Sequence, residues 1–137
     1  MIRPHAYDKV GKIVQDILDA GFMISTMETF LLDFSKAEEF MEVYKGVLDN
    51  YGDVVKELSS GVCLALQIVG ELDNDSNDVV SKFRQFCGPM DPAIAKSLRP
   101  GTLRAKYGQS LVQNAVHCTD LKDDGPLEVE YFFKILQ

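Results

Sequence analysis

The residues best able to do chemistry are gathered in one stretch, RPGTLRAKYGQSLVQNAVHCTD. It brings Arg99, Arg104, Lys106, Asn114 and His117 into an otherwise acidic chain, and Arg84 precedes it on a predicted helix. A guanidinium presents a planar fork of donors that matches phosphate oxygens. An imidazole titrating near neutrality can act as a nucleophile or a proton carrier. Phosphate chemistry at a histidine is therefore one reading of the stretch. A solvated basic loop beside a core histidine is the other, and on spacing alone it is favoured, because no fixed motif is satisfied.

Other chemistries fail on their residues. Asp73, Asp75 and Asn77 imitate the start of a calcium loop, but Asp78 stands where glycine is needed and Arg84 where the bidentate glutamate is needed. No G-x-x-x-x-G-K-[ST] phosphate loop occurs. Cys63, Cys87 and Cys118 are odd in number and widely spaced, which suggests neither a disulfide framework nor a zinc site and fits a reducing, cytoplasmic compartment. There Asn74-Asp75-Ser76, formally a glycosylation acceptor, has no role. With 14 basic against 21 acidic residues the net charge is −7, which argues against broad nucleic-acid binding. No apolar run reaches the roughly 18 residues of a membrane span, and the opening MIRPHAYDK lacks a secretory core, so a soluble, unprocessed chain without a membrane partner is expected.

The elements that must position these residues follow from periodicity. Val10, Ile13, Val14, Ile17 and Leu18 recur at helical spacing from Asp8 to Ala20, with Gly21 where a C-terminal cap belongs. Phe22 to Leu32 reads as a buried strand. Ser35 with Glu38 forms a capping-box pattern opening a helix through Tyr44, and a short helix follows around Asp53 to Leu58. Val62 to Val69, between Gly61 and Gly70, is an interior strand. Glu71 to Asn77 is a polar loop, and Val79, Val80, Phe83 and Phe86 mark another helix. Pro92, Pro100, Gly101 and Gly108 divide a long irregular stretch before the apolar closing segment Leu127 to Leu136. Length and pattern predict one domain over residues 1–137, an α/β or α+β sandwich with helices packed on a sheet.

N-A-V-H-C-T-D, with R-P-G-T-L-R upstream, resembles the signature of the nucleoside diphosphate kinase family, in which N-x-x-H-G-S-D carries a phosphorylated histidine. R-P-H-A resembles the family's opening K-P-D-G, Ser60-Gly61 its mid-chain S-G-P, and F-R-Q-F-C-G-P-M-D-P its arginine helix followed by N-P. Nearly the whole chain is covered in the family's order. C-G-P-x-D-P and the ending E-V-E-Y-F-F-K-I-L resemble in particular the second kinase-like domain of the tandem-domain branch associated with cilia and centrosomes.

The resemblance implies a ferredoxin-like sandwich with an antiparallel sheet, its first strand curtailed. It also implies that His117 takes the γ-phosphoryl group of a nucleoside triphosphate and passes it to a nucleoside diphosphate. By position Glu128 would orient the imidazole and Thr119 would support Glu128. Arg84 and Arg104 would grip phosphates, and Asn114 would meet ribose or phosphate. The cofactor would be Mg2+, held mainly through nucleotide phosphates rather than by a protein metal site. The resemblance admits a homo-oligomer and cytoskeletal or centrosomal partners.

Departures from the family weigh on the rate. Arg3 stands where the family has a phosphate-contacting lysine, exchanging a compact ammonium for a directional fork. Met41 aligns with a tyrosine near the phosphates, with Tyr44 one helical turn away. A base-stacking phenylalanine falls near Asn50 or Tyr51. Met90 replaces a threonine that donates to phosphate, and losing one donor to developing charge costs about 3 kcal/mol of barrier. A catalytically weak or inactive nucleotide-binding scaffold domain is thus the alternative to the kinase, and a nucleotide sensor is a third reading.

Overall fold

The computed structural model of the protein describes residues 1–70 and 79–137. The polar loop Glu71 to Asn77, the calcium-like pattern from Asp73 to Asp78 and the Asn74 acceptor site lie outside the described residues.

A 3-10 turn over Pro4–Lys9 leads into helix α1, Val10–Asp19. Ile13 and Ile17, on the stripe its spacing predicts, are 0% and 1% exposed. Burying each such side chain contributes about 1.5–3 kcal/mol. The helix closes as the sequence predicts at Gly21, whose φ of 90° lets its N–H reach Leu18 O at 3.0 Å and the N–H of Phe22 reach Ile17 O at 3.3 Å.

Strands β1, Met23–Leu31, and β2, Val62–Val69, pair antiparallel from Met23 opposite Val69 to Leu31 opposite Val62, with an irregularity at Ser25. The other edge of β2 bridges Ile2 at Leu64, and Ile2 bridges Val116 in turn. The order across the sheet is therefore β1, β2, Ile2, Val116, which sets the residue before His117 in line with the sheet. Side chains along β2 alternate between two cores. Leu64 joins Ile13, Ile17 and Leu103 on one face, whereas Cys63 and Ala65 join Val55, Leu58 and Phe132 on the other. This antiparallel sheet with helices packed on it is the α+β sandwich expected.

The remaining helices are α2, Phe34–Phe40; α3, Tyr51–Leu58; α4, Val79–Cys87; α5, Pro92–Leu98; α6, Leu103–Tyr107; and α7, Asp124–Glu130. Three differ from the sequence reading. The N-cap of α2 is Asp33, not Ser35: its extended backbone lets the carboxylate accept the Lys36 N–H at 2.9 Å. The same helix stops at Phe40 and tightens into a 3-10 turn at Glu42–Tyr44. The stretch read as irregular holds α5 and α6. Asp91 caps α5 by accepting the Ala93 N–H at 2.9 Å, and Pro92 serves as its first residue. The apolar closing segment folds as the end of α7 and a π-helical turn, Tyr131–Ile135.

Candidate active site

His117 is anchored from both main-chain sides. Its N–H donates to Met1 O at 2.9 Å and its carbonyl accepts from the Met1 nitrogen at 2.8 Å. Just before it the chain reverses through a γ-turn, in which Ala115 sits at φ 75° and the Val116 N–H donates to Asn114 O at 2.9 Å. A non-glycine residue in such a conformation costs about 1–3 kcal/mol and persists only where its surroundings over-determine it.

The imidazole is largely enclosed, with Phe40 edge-on at 5.0 Å between ring centroids. Its Nε2 lies 3.1 Å from Glu128 Oε1, and Thr119 Oγ1 donates to Glu128 Oε2 at 2.6 Å. Burial by itself would raise the Glu128 pKa. Hydrogen bonds from His117 and Thr119, with the positive charge of the amino terminus, hold it below its ordinary value. An ionised carboxylate only accepts, so Nε2 carries the proton and donates it, and Nδ1 of the neutral ring keeps its lone pair.

The depressed pKa has a consequence for stability. The contribution of the Glu128 carboxylate is complete above its unfolded value, near 4.5, and is lost as pH falls through the lower folded value. Glu128→Gln should therefore flatten the acid limb of Tm against pH. A limb as steep as that of the wild type would show that protonation of this carboxyl is not what the fold loses in acid.

Arg3 is 4% exposed and spans two partners. Its Nε donates to Glu57 Oε2 at 2.8 Å and its Nη1 to Asn114 Oδ1 at 2.6 Å. Asn114 Nδ2 in turn donates to Met90 O at 3.3 Å. The fork thereby ties α3 to the turn before His117, a geometry suited to a rigid guanidinium rather than a lysine's point charge. Burial lowers the Arg3 pKa, with Glu57 opposing the shift.

Arg104, on α6, is also enclosed. Its Nη1 donates to Gly88 O at 2.7 Å and its Nη2 to Val116 O at 3.1 Å, which clamps the strand before His117 to the end of α4. Gly88 is required there: φ is 86° and a Cβ would collide with the Thr102 side chain. Arg3 Nη2 and Arg104 Nε are buried donors with no protein partner among the described residues. Both belong to cations and so fit an anion.

Arg84, on α4, is exposed. It donates from Nη1 to Asp120 O at 3.1 Å, and its Nε lies 3.6 Å from Asp120 Oδ1. The Tyr44 hydroxyl donates to the other Asp120 oxygen, and the Tyr44 ring stands 6.3 Å from the imidazole. Met41 is buried in the core, while the Met90 side chain is exposed and offers no donor.

Two residues of this network had no role in the sequence reading. Asp120 ends the histidine motif itself. Glu57 lies three residues after Val54 and beside Leu58 on the buried face of α3, and an acidic residue on an apolar stripe is the signal that could have found it. No cluster of three or more His, Cys, Asp or Glu side chains able to hold a metal occurs among the described residues, nor any helix long and apolar enough to cross a membrane. A cavity of about 740 Å³ opens on the Glu128 side of the imidazole, lined by His117, Thr119, Glu128, Val80, Phe83 and Phe132 among others. Arg3, Arg84, Arg104 and Asn114 do not line it, so the anion-fitting groups and the cavity are separate features.

The molecule is thus an α+β sandwich that presents a carboxylate-held histidine with arginines on the neighbouring elements. The model of the nucleoside diphosphate kinase family matches residues 1–137. The chain is 53% identical over 138 residues to rat "Nucleoside diphosphate kinase homolog 7", covering 99% of this chain and 33% of that protein. It is 33% identical over 135 residues to the nucleoside diphosphate kinase of a Nitratiruptor species, covering 97% and 91% of the two chains. The crystal structure of the Aquifex aeolicus nucleoside diphosphate kinase matches with a TM-score of 0.87 at 28% identity, over 98% of this chain and 92% of that one. The chain belongs to the nucleoside diphosphate kinase family, and it spans about a third of the length of the rat relative.

Proposed function

We propose that the protein is a nucleoside diphosphate kinase that works through a phosphohistidine at His117. The observation that carries this reading is the held imidazole: with Nε2 donating to Glu128 at 3.1 Å, the lone pair of Nδ1 is the free nucleophile. In the first half-reaction Nδ1 attacks the γ-phosphorus of a nucleoside triphosphate. The N–P bond forms, the bond to the bridging oxygen breaks, and a nucleoside diphosphate leaves. In the second, a terminal oxygen of another diphosphate attacks phosphorus and the N–P electrons return to Nδ1. Glu128 meets the positive charge that the phosphorylated ring acquires, and Thr119 keeps Glu128 aligned.

In this reading Arg84, with the Arg3 and Arg104 donors that have no partner among the described residues, supplies positive charge for the phosphates, and Asn114 keeps the ribose or phosphate role that the resemblance implies. Magnesium enters with the nucleotide as part of the substrate and offsets phosphate charge there. One set of contacts favours a second reading, a nucleotide-binding scaffold with weak turnover: Arg104 and Asn114 spend donors inside the protein, and Met90 supplies none. For either reading we propose a cytoplasmic setting in a ciliary or centrosomal assembly, as a homo-oligomer or with other partners, on the branch resemblance alone.

Both readings require nucleotide binding. Mg-ADP at a hundredfold excess over Kd should stabilise the fold by about 2.7 kcal/mol, a rise of roughly 9 °C in Tm. Arg84→Ala should lose more than half of that rise. Lys106→Ala, which removes a cation paired with Asp16 at 2.7 Å, should keep it. A well-folded wild type that millimolar nucleotide leaves unshifted would remove both readings.

A further inference from the structure

The strained turn before His117 is gripped by residues 3 and 5. Ala115 O accepts the Arg3 N–H at 2.9 Å, and the Ala115 N–H donates to His5 Nε2 at 2.8 Å. Both polar groups of the one non-glycine residue with positive φ among those described are thus held from the turn Pro4–Lys9 and the residue that precedes it. His5 is fixed in its turn by its own N–H, which donates to Glu57 Oε1 at 3.1 Å. Nε2 can accept only while it carries no proton, so the neutral ring bears its hydrogen on Nδ1. That Nδ1 is buried with no partner among the described residues. An unsatisfied buried donor is costly, so the Nε2 contact, not Nδ1, dictates how the ring is set.

We propose that His5 is a positioning residue for phosphoryl transfer: by accepting the Ala115 N–H it holds the turn that presents Nδ1 of His117 to the nucleotide. The inference rests on the phosphohistidine reading above. It also carries a pH dependence. A protonated His5 ring donates from both nitrogens, and the Ala115 N–H loses its acceptor. Burial lowers the His5 pKa first; Glu57 and Asp8 oppose this, while Arg3 and Lys9 reinforce it. The folded protein therefore binds fewer protons here than the unfolded chain, and stability falls as pH drops below the ordinary value near 6.5.

The test compares wild type, His5→Leu and His5→Gln, the last placing an amide oxygen that cannot be protonated near the position of Nε2. Three quantities are read in each: hydrogen exchange at the Ala115 amide, the rate of His117 labelling by Mg-ATP, and ADP affinity. His5→Leu should speed exchange and slow labelling by about tenfold or more each, with ADP affinity changed less than about threefold. His5→Gln should restore both. The acid limb of labelling should be shallower in His5→Gln than in wild type, because the contribution of His5 is removed.

Unchanged Ala115 exchange in His5→Leu overturns the proposal, as does a labelling rate that ignores a changed exchange. A wild type that never labels, with exchange still tracking His5, sinks the phosphohistidine reading and the positioning role together but leaves the turn contact standing. If His5→Leu does not fold, the pH dependence of Ala115 exchange in wild type against His5→Gln decides: identical profiles overturn the proposal.

Discussion

His117→Ala is expected to abolish the phosphoprotein that wild type forms with Mg-ATP, and with it all transfer to a second nucleoside diphosphate. The expectation is a complete loss because the imidazole is the covalent carrier in this reading, and the two aromatic rings packed against it supply no substitute. Phe40 offers no nucleophile, and burial, with the hydrogen bond the Tyr44 hydroxyl donates to Asp120, pushes the Tyr44 pKa well above its ordinary value. The wild-type label should be lost in acid and survive base, as phosphohistidine does. Retention of ADP-induced stabilisation by His117→Ala would show that the pocket is intact and only the carrier is gone. Equal labelling of mutant and wild type would remove His117 from the chemistry.

The second large effect concerns the support of the site rather than its chemistry. Glu57→Ala leaves the Arg3 guanidinium buried without its carboxylate partner and the His5 N–H without its acceptor. Breaking a buried ion pair from one side costs about 3–5 kcal/mol. For a domain of this size that is a fall of roughly 10–17 °C in Tm. Replacing both partners with apolar residues, Arg3→Met with Glu57→Leu, should recover much of the loss, because no charge is then stranded. A thermal melt decides: a fall of only a degree or two for Glu57→Ala would mean that the pair is not a structural tie.

What could be read before the structure was what chain-local physics determines. The α1 stripe, the stop at Gly21 and the run of β2 depend on spacing within a few residues, and they fold where that spacing puts them. The cap of α2 moved by two residues because Asp33 and Ser35 both satisfy local rules, and only the entry angle of the chain selects Asp33. Helix α5 is legible in Asp91-Pro92, a cap followed by a first-turn proline, although a proline there equally suits a divider between elements. The closeness of His117, Thr119 and Glu128 needed only α7 to fold back over a dozen residues. The enclosure of Arg3 and Arg104 was not legible. It depends on Glu57, Gly88 and Val116 arriving from distant parts of the chain, and no local pattern reports that a guanidinium will be spent on them. Arg3 in the lysine position looked like a misfit from sequence, and the structure shows a fork with two partners.

The most direct measurement is the site of attachment on the imidazole ring. After labelling with Mg-ATP, the phosphorylated nitrogen of His117 can be assigned by NMR of the phosphoprotein or by comparison with both phosphohistidine isomers after alkaline digestion. Because Glu128 holds Nε2 at 3.1 Å, the phosphate is expected on Nδ1. A phosphate on Nε2, or on any residue other than His117, would contradict the account.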